Sequence, residues 1–183
     1  FAKLQEQFNA RGGGVFGFGS YLAFHVPSRT GVIALTNLWP SRGAAGQIAF
    51  PGGKIDPGDG DAIAAALREA EEEIGLARSF VEPVGYLAPY LTGTGYRITP
   101  VLARVRPGFA LAPNPDEVAA VFEVPLAFLM TAANYQRRSR VWNGIERHFY
   151  EIGFGDRYIW GATAGIARSL YQRVFLDDES PRL

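Results

Sequence analysis

Residues 61–75 constrain this chain more than any other stretch. They carry five acids, Asp61, Glu69, Glu71, Glu72 and Glu73, against one base, Arg68, in a chain whose 18 Lys+Arg and 18 Asp+Glu otherwise cancel. Asp61 reads as a helix N-cap and Gly75 as the residue just past a helix end, so a helix is expected over 62–74. At about 100° per residue, Ile63, Ala66, Leu67, Ala70 and Ile74 form one apolar stripe that must face a core. Glu69, Glu72 and Glu73, spaced i, i+3, i+4, share another side within reach of one point. Their mutual repulsion costs stability unless something neutralises it. Glu71 points elsewhere.

A cation is the economical neutraliser. Carboxylates with no Cys or nearby His favour a hard ion, Mg²⁺ or Mn²⁺; the plainer reading is a solvated acidic face. Upstream, Phe50-Pro51-Gly52-Gly53 closes an expected strand and Asp56-Pro57-Gly58-Asp59-Gly60 makes a turn-rich loop before the helix. A glycine there lets a backbone carbonyl approach an ion that a Cβ would crowd.

The rest of the chain bounds the setting. Its 183 residues, 48% of them hydrophobic, suit one domain, expected over 20–176 between a flexible segment, 1–19, and a tail, 177–183. Within 1–19 a helical turn is possible at 2–9. Zero net charge leaves no field to hold nucleic acid. The absence of Cys removes disulfides and thiolate chemistry, and two separated His do not make a zinc site. No apolar run is long enough for a membrane span, and the expected setting is cytoplasmic. The opening Phe1-Ala2-Lys3 predicts that a native start precedes it. Strands are expected at 21–26 and 32–36 as a hairpin around Pro27–Gly31, and at 81–87, 97–105 and 118–124. A second hairpin is expected around Asn143-Gly144. Helices are expected at 126–131 and 162–175. Strands in antiparallel pairs with few helices between them predict an α/β fold with a mixed sheet covered by helices, not a doubly wound parallel sheet.

The strand, loop and helix resemble the Nudix box of the Nudix hydrolases: Gly, five residues, Glu, seven residues, Arg-Glu-apolar-x-Glu-Glu-x-Gly-apolar. Arg68-Glu69-Ala70-Glu71-Glu72-Glu73-Ile74-Gly75-Leu76 matches the second half throughout. In the first half, five residues lead from Gly53 to Asp59 rather than Glu, and eight rather than seven separate Asp59 from Arg68. The resemblance implies an α/β/α sandwich with a mixed sheet. It implies that Glu69, Glu72 and Glu73 hold Mg²⁺ or Mn²⁺, that the Gly53 carbonyl adds a ligand, and that Arg68 orients a glutamate. The implied chemistry is attack of water on a phosphorus of a diphosphate. Glu72 and Glu73 are the first candidates for general base, with Glu117 of Asn114-Pro115-Asp116-Glu117 as the alternative.

A further resemblance is to the coenzyme A diphosphatase branch of that family. Arg42, Gly46 and Phe50-Pro51-Gly52-Gly53 keep its spacing, and Tyr96–Val101, Asn114–Val118 and Ile159–Ala164 look like it. After Leu35-Thr36 the branch's usual Arg is absent. The resemblance implies Arg42, Gly46, Phe50, Gly52 and Tyr96 as substrate contacts. Arg137, Arg138, Arg140 and Arg147 are substitute phosphate contacts or solvated strand residues. Trp39, Tyr90 and Tyr96 are candidates for stacking on a base or lining a channel, or else anchors of core and loop. His25 and His148 have no paired ligand. No phosphate-binding P-loop, nucleophile-elbow or zinc-protease motif is present. The expected partner is a small diphosphate, with neither nucleic acid nor membrane, for a monomer or homodimer. The competing readings are hydrolysis of another nucleoside-diphosphate-linked compound and a domain that binds nucleotide without turnover.

Overall fold

The acidic helix runs over Ala62–Ile74 (α1), within the limits that Asp61 and Gly75 impose. The structure, a computed structural model, describes residues 18–24, 32–38, 47–92, 95–142 and 144–175. Its other elements are β1 (Phe18–Phe24), β2 (Val32–Leu38), β3 (Ile48–Ala49), β4 (Gly52–Lys54), β5 (Val81–Tyr86), β6 (Tyr90–Leu91), β7 (Arg97–Val105) and β8 (Val118–Pro125). A short helix α2 (Leu126–Leu129) follows, then β9 (Gln136–Trp142), β10 (Ile145–Phe154), β11 (Arg157–Trp160) and α3 (Ala162–Phe175). The expected possible turn at 2–9, the tail 177–183, His25, Trp39, Arg42 and Gly46 lie outside the described residues.

The strands form three sheets. The largest has the order β4-β1-β7-β5 with β6 also on β7; the others are β3-β2-β8 and β11-β10-β9. β1 lies parallel to β7, from Phe18 opposite Ile98 to Phe24 opposite Arg104, and antiparallel to β4. The expected α/β class with a mixed sheet holds.

β7 shows why helices cover two faces. Its residues 100–103 are all buried, as in a strand with a core on either side. Val101, Ala103 and Val105 join Ala66, Ala70 and Ile74 of α1 in one core, with Ile63 and Leu67 packed at its margin. Leu102 joins Ala164, Ile166, Ala167 and Leu170 of α3 in the other. Alternate side chains of one strand thus bind the two helical layers together.

Three expectations need correction. β1 and β2 do not form a hairpin: the edges of β1 are taken by β4 and β7, and those of β2 by β3 and β8. Each strand satisfies its backbone over a longer ladder than their connection offers. The second helix stops at Leu129, with Met130 as its cap, two residues short of Thr131. β1 begins at Phe18, so two residues assigned to the N-terminal segment belong to the sheet. The other hairpin forms as expected, with Trp142 opposite Ile145 and Gly144 at φ 74°. Among the described residues, no helix is long and apolar enough to cross a membrane.

Candidate active site

Both ends of α1 are built by local chemistry. The Asp61 carboxylate accepts the Ala64 N–H at 2.8 Å, capping a free donor of the first turn. At the other end Gly75 takes φ 67° and donates its N–H to the Glu71 carbonyl. The last carbonyls of a helix need outside donors. Here Ala112 N–H reaches the Ile74 carbonyl at 2.9 Å and Asn114 N–H the Glu73 carbonyl at 2.8 Å. Gly75 permits this approach, since a Cβ there would stand 2.8 Å from the Ala112 Cβ and amide nitrogen. The Asn114 carbonyl then accepts from the Glu117 and Val118 N–H groups, so the turn that carries Glu117 into β8 is held to the helix.

Arg68 is the hub of the acidic side chains. Its Nε and one terminal nitrogen hold Asp59, at 3.2 and 2.9 Å, and that second nitrogen also donates to the Lys54 carbonyl at 3.1 Å. The other terminal nitrogen donates to Glu69 at 3.0 Å and Glu72 at 2.9 Å. Glu71 turns away to Arg78, as its helix angle predicts.

The three glutamates occupy different environments. Glu72 is largely exposed. Glu69 is half-buried and sits against Gly53, where an added Cβ would come within 2.3 Å of its Oε1. Burial pushes its carboxyl up, opposed by Arg68 and reinforced by Glu72 and Glu117. Glu73 is 6% exposed. Burial drives its carboxyl up to about 7, the Gly52 N–H at 3.4 Å opposes this, and Glu69, Glu117 and Glu72 add to it. Glu117 therefore acts electrostatically on the helix carboxylates although it comes from a different segment.

These donors fit a hard divalent cation. Glu73 Oε2 is buried with no hydrogen-bond partner, and the carboxylates lie beside a glycine that leaves room against Glu69. Among the described residues, no three such side chains already converge as a cage. The cation that neutralises Glu69 and Glu72 as they stand is Arg68.

Other candidates are placed differently. Phe50 is 5% exposed among Ile48, Leu87 and Leu102, so its side chain is a core anchor rather than a substrate contact. Tyr96 is 56% exposed beyond the turn at Thr92. Tyr90 is half-buried, its ring against Gly165 of α3. Arg137, Arg138, Arg140 and Arg147 are exposed on the hairpin, as is His148, and Arg138 pairs with Glu151 at 2.7 Å. Reasoning from the sequence missed the part of Asp59, whose altered type and spacing marked it only as a departure from the pattern. It also missed the buried Thr163 hydroxyl, which donates to the Ile48 carbonyl at 2.8 Å and joins α3 to the strand before Gly52.

Residues 27–142 match the NUDIX domain family. The chain is 42% identical over 133 residues to a protein named uncharacterized Nudix hydrolase NudL from Photorhabdus laumondii, covering 73% of this chain and 71% of that one. It is 43% identical over 130 residues to the protein of the same name from Escherichia coli, covering 71% and 68%. Among solved structures, the Nudix hydrolase RenU of M. smegmatis shares the fold with a TM-score of 0.56 at 20% identity, over 95% of this chain and 92% of that one. An Ap4A hydrolase of C. elegans does so with a TM-score of 0.52 at 15% identity, over 60% and 80%. With an acidic helix tied by its own arginine beside a diglycine strand, the chain belongs to the Nudix hydrolases, enzymes that cleave diphosphate linkages.

Proposed function

We propose that this enzyme cleaves the diphosphate of coenzyme A or a derivative, with Mg²⁺ or Mn²⁺, in the cytoplasm. Water adds to one phosphorus and the P–O–P bridge breaks, giving adenosine 3′,5′-bisphosphate and 4′-phosphopantetheine. The observation that carries the metal-dependent reaction is the buried, unpartnered oxygen of Glu73 beside Glu69, Gly52 and Gly53. The coenzyme A class is supported by Gln47-Ile48-Ala49-Phe50-Pro51-Gly52-Gly53 with the spaced Arg42 and Gly46, and by Tyr96–Val101 and Ile159–Ala164.

Glu69, Glu72, Glu73 and the Gly53 carbonyl would hold the ion. When bound, it would neutralise the diphosphate, acidify the attacking water and stabilise the leaving oxygen. Arg68 keeps Glu69 and Glu72 in place and oriented. Glu72 and Glu73 are the residues to take the water's proton, with Glu117 as the candidate from outside the helix.

The test is turnover of coenzyme A with Mg²⁺ or Mn²⁺, products resolved by mass. Glu72→Gln should lower kcat by about 10²–10³-fold, in line with the several kcal/mol that metal-borne charge stabilisation supplies. Turnover of a different nucleoside-diphosphate-linked compound, with coenzyme A untouched, would reassign the substrate. Retained binding of such a compound without any turnover would overturn the reaction.

A further inference from the structure

We propose that Asp59 and Gly60 work as one positioning device: a shorter acid delivered by a longer loop, which sets the direction of Arg68 and thereby frees Glu69 and Glu72 for a cation. The proposal rests on the metal-dependent reading of the site above, and it concerns residues that take no direct part in the chemistry.

A guanidinium has five N–H donors in a rigid fork. In Arg68 all five are engaged. Nε and one terminal nitrogen grip the two oxygens of Asp59, the second hydrogen of that nitrogen goes to the Lys54 carbonyl, and the other terminal nitrogen serves Glu69 and Glu72 once each. Because Asp59 takes the Nε side of the fork and the Lys54 carbonyl takes the remaining hydrogen of the shared terminal nitrogen, each glutamate is left with a single hydrogen bond. Two-point carboxylate pairs are the strong ones. Without Asp59, the guanidinium is released to grip Glu69 or Glu72 that way, in direct competition with a metal ion.

The loop around Asp59 is made for this. Its carboxylate is 7% exposed and also accepts the Asp56 N–H at 2.8 Å, while its own N–H donates to the Asp56 carbonyl at 2.9 Å. Arg68 holds the Asp59 carboxyl below the usual carboxylate range. Between Asp59 and the helix cap Asp61 stands only Gly60, which is exposed and has open space where a Cβ would be. A Cβ there would meet nothing within 4 Å, so no close packing dictates a glycine at this point. The family pattern has a Glu with seven residues between it and the arginine; this chain has lost one methylene in the side chain and gained one residue in the backbone. In an enclosed, fully bonded position a glutamate at 59 overfills the space.

The experiment measures Mn²⁺ affinity by electron paramagnetic resonance of the free ion, without substrate, alongside kcat and circular dichroism. Three variants are compared with the parent chain: Asp59→Asn, Asp59→Glu, and Asp59→Glu with Gly60 deleted. The two single variants are expected to bind Mn²⁺ about 10–100-fold more weakly, the usual cost of losing a partner that orients metal ligands. The combined variant is expected to regain affinity and kcat to within about threefold of the parent. A purely structural role for Asp59 would move the circular dichroism along with Mn²⁺ affinity, whereas positioning leaves it parent-like while affinity is lost and regained. Parent-like Mn²⁺ affinity in either single variant, or a combined variant no better than Asp59→Glu, overturns the proposal. Should Asp59→Asn fail to fold, the glutamate pair still decides. A parent chain that binds Mn²⁺ but hydrolyses no diphosphate sinks the proposed reaction and leaves this device standing.

Discussion

Glu73 carries a titration whose direction follows from its surroundings. Its carboxyl moves from an ordinary 4.5 up to about 7, first because it is buried. A raised carboxyl favours the protonated folded state, so its stabilising effect is complete below about pH 4.5 and is lost as pH rises through 7. Glu69 shifts the same way. Asp59 shifts downward, so its contribution changes only below its ordinary 3.8, outside this window. The metal-free chain should therefore be less stable at pH 8 than at pH 5, by up to about 3 kcal/mol from Glu73. Urea midpoints measured across that range check this, and Glu73→Gln should flatten the curve. Saturating Mn²⁺ should remove or reverse the slope, because a ligand must be deprotonated. The acidic residues concerned can be read from the sequence by helix spacing alone. The environments that separate exposed Glu72 from buried Glu73 cannot, since they depend on Gly52 and Glu117, residues far off in the chain.

Among the elements, α1 is the one whose ends, core stripe and acidic side are all written locally: cap, period and terminal glycine suffice. β3, β4 and β6, two or three residues each, carry too little propensity to be recognised. The partners of β1 and β2 depend on competition among distant edges, and the expected hairpin failed for that reason. The junction of α1 with the 112–117 loop depends on Gly75. Gly75→Ala must hold a side chain at φ 67° and within 2.8 Å of Ala112. It should lower stability by about 2–4 kcal/mol, seen as a shift of the denaturation midpoint. Activity should fall further than stability explains, because Glu117 moves with the loop. Gly58→Ala, where a Cβ meets open space, should change neither.

For the whole molecule, a cation that binds only the folded chain raises its stability by mass action. Mn²⁺ at 100 times its Kd should contribute about 2.7 kcal/mol, a rise in Tm of roughly 5–10 °C for a chain of this size. Differential scanning fluorimetry with and without the ion measures it. The double variant Glu69→Gln with Glu72→Gln should show no rise while keeping the fold. An unchanged Tm for the parent chain would mean that the acidic face is solvated and nothing more.

The Thr163 hydroxyl holds the Ile48 carbonyl from across the molecule. A chain emerging from the ribosome presents every pocket carboxylate, Glu117 the last of them, well before that hydroxyl is made. Until α3 closes over Ile48, the segment leading into Gly52 lacks its anchor, so competence for catalysis should arrive only once synthesis has passed that helix, and nascent chains halted short of it should be silent.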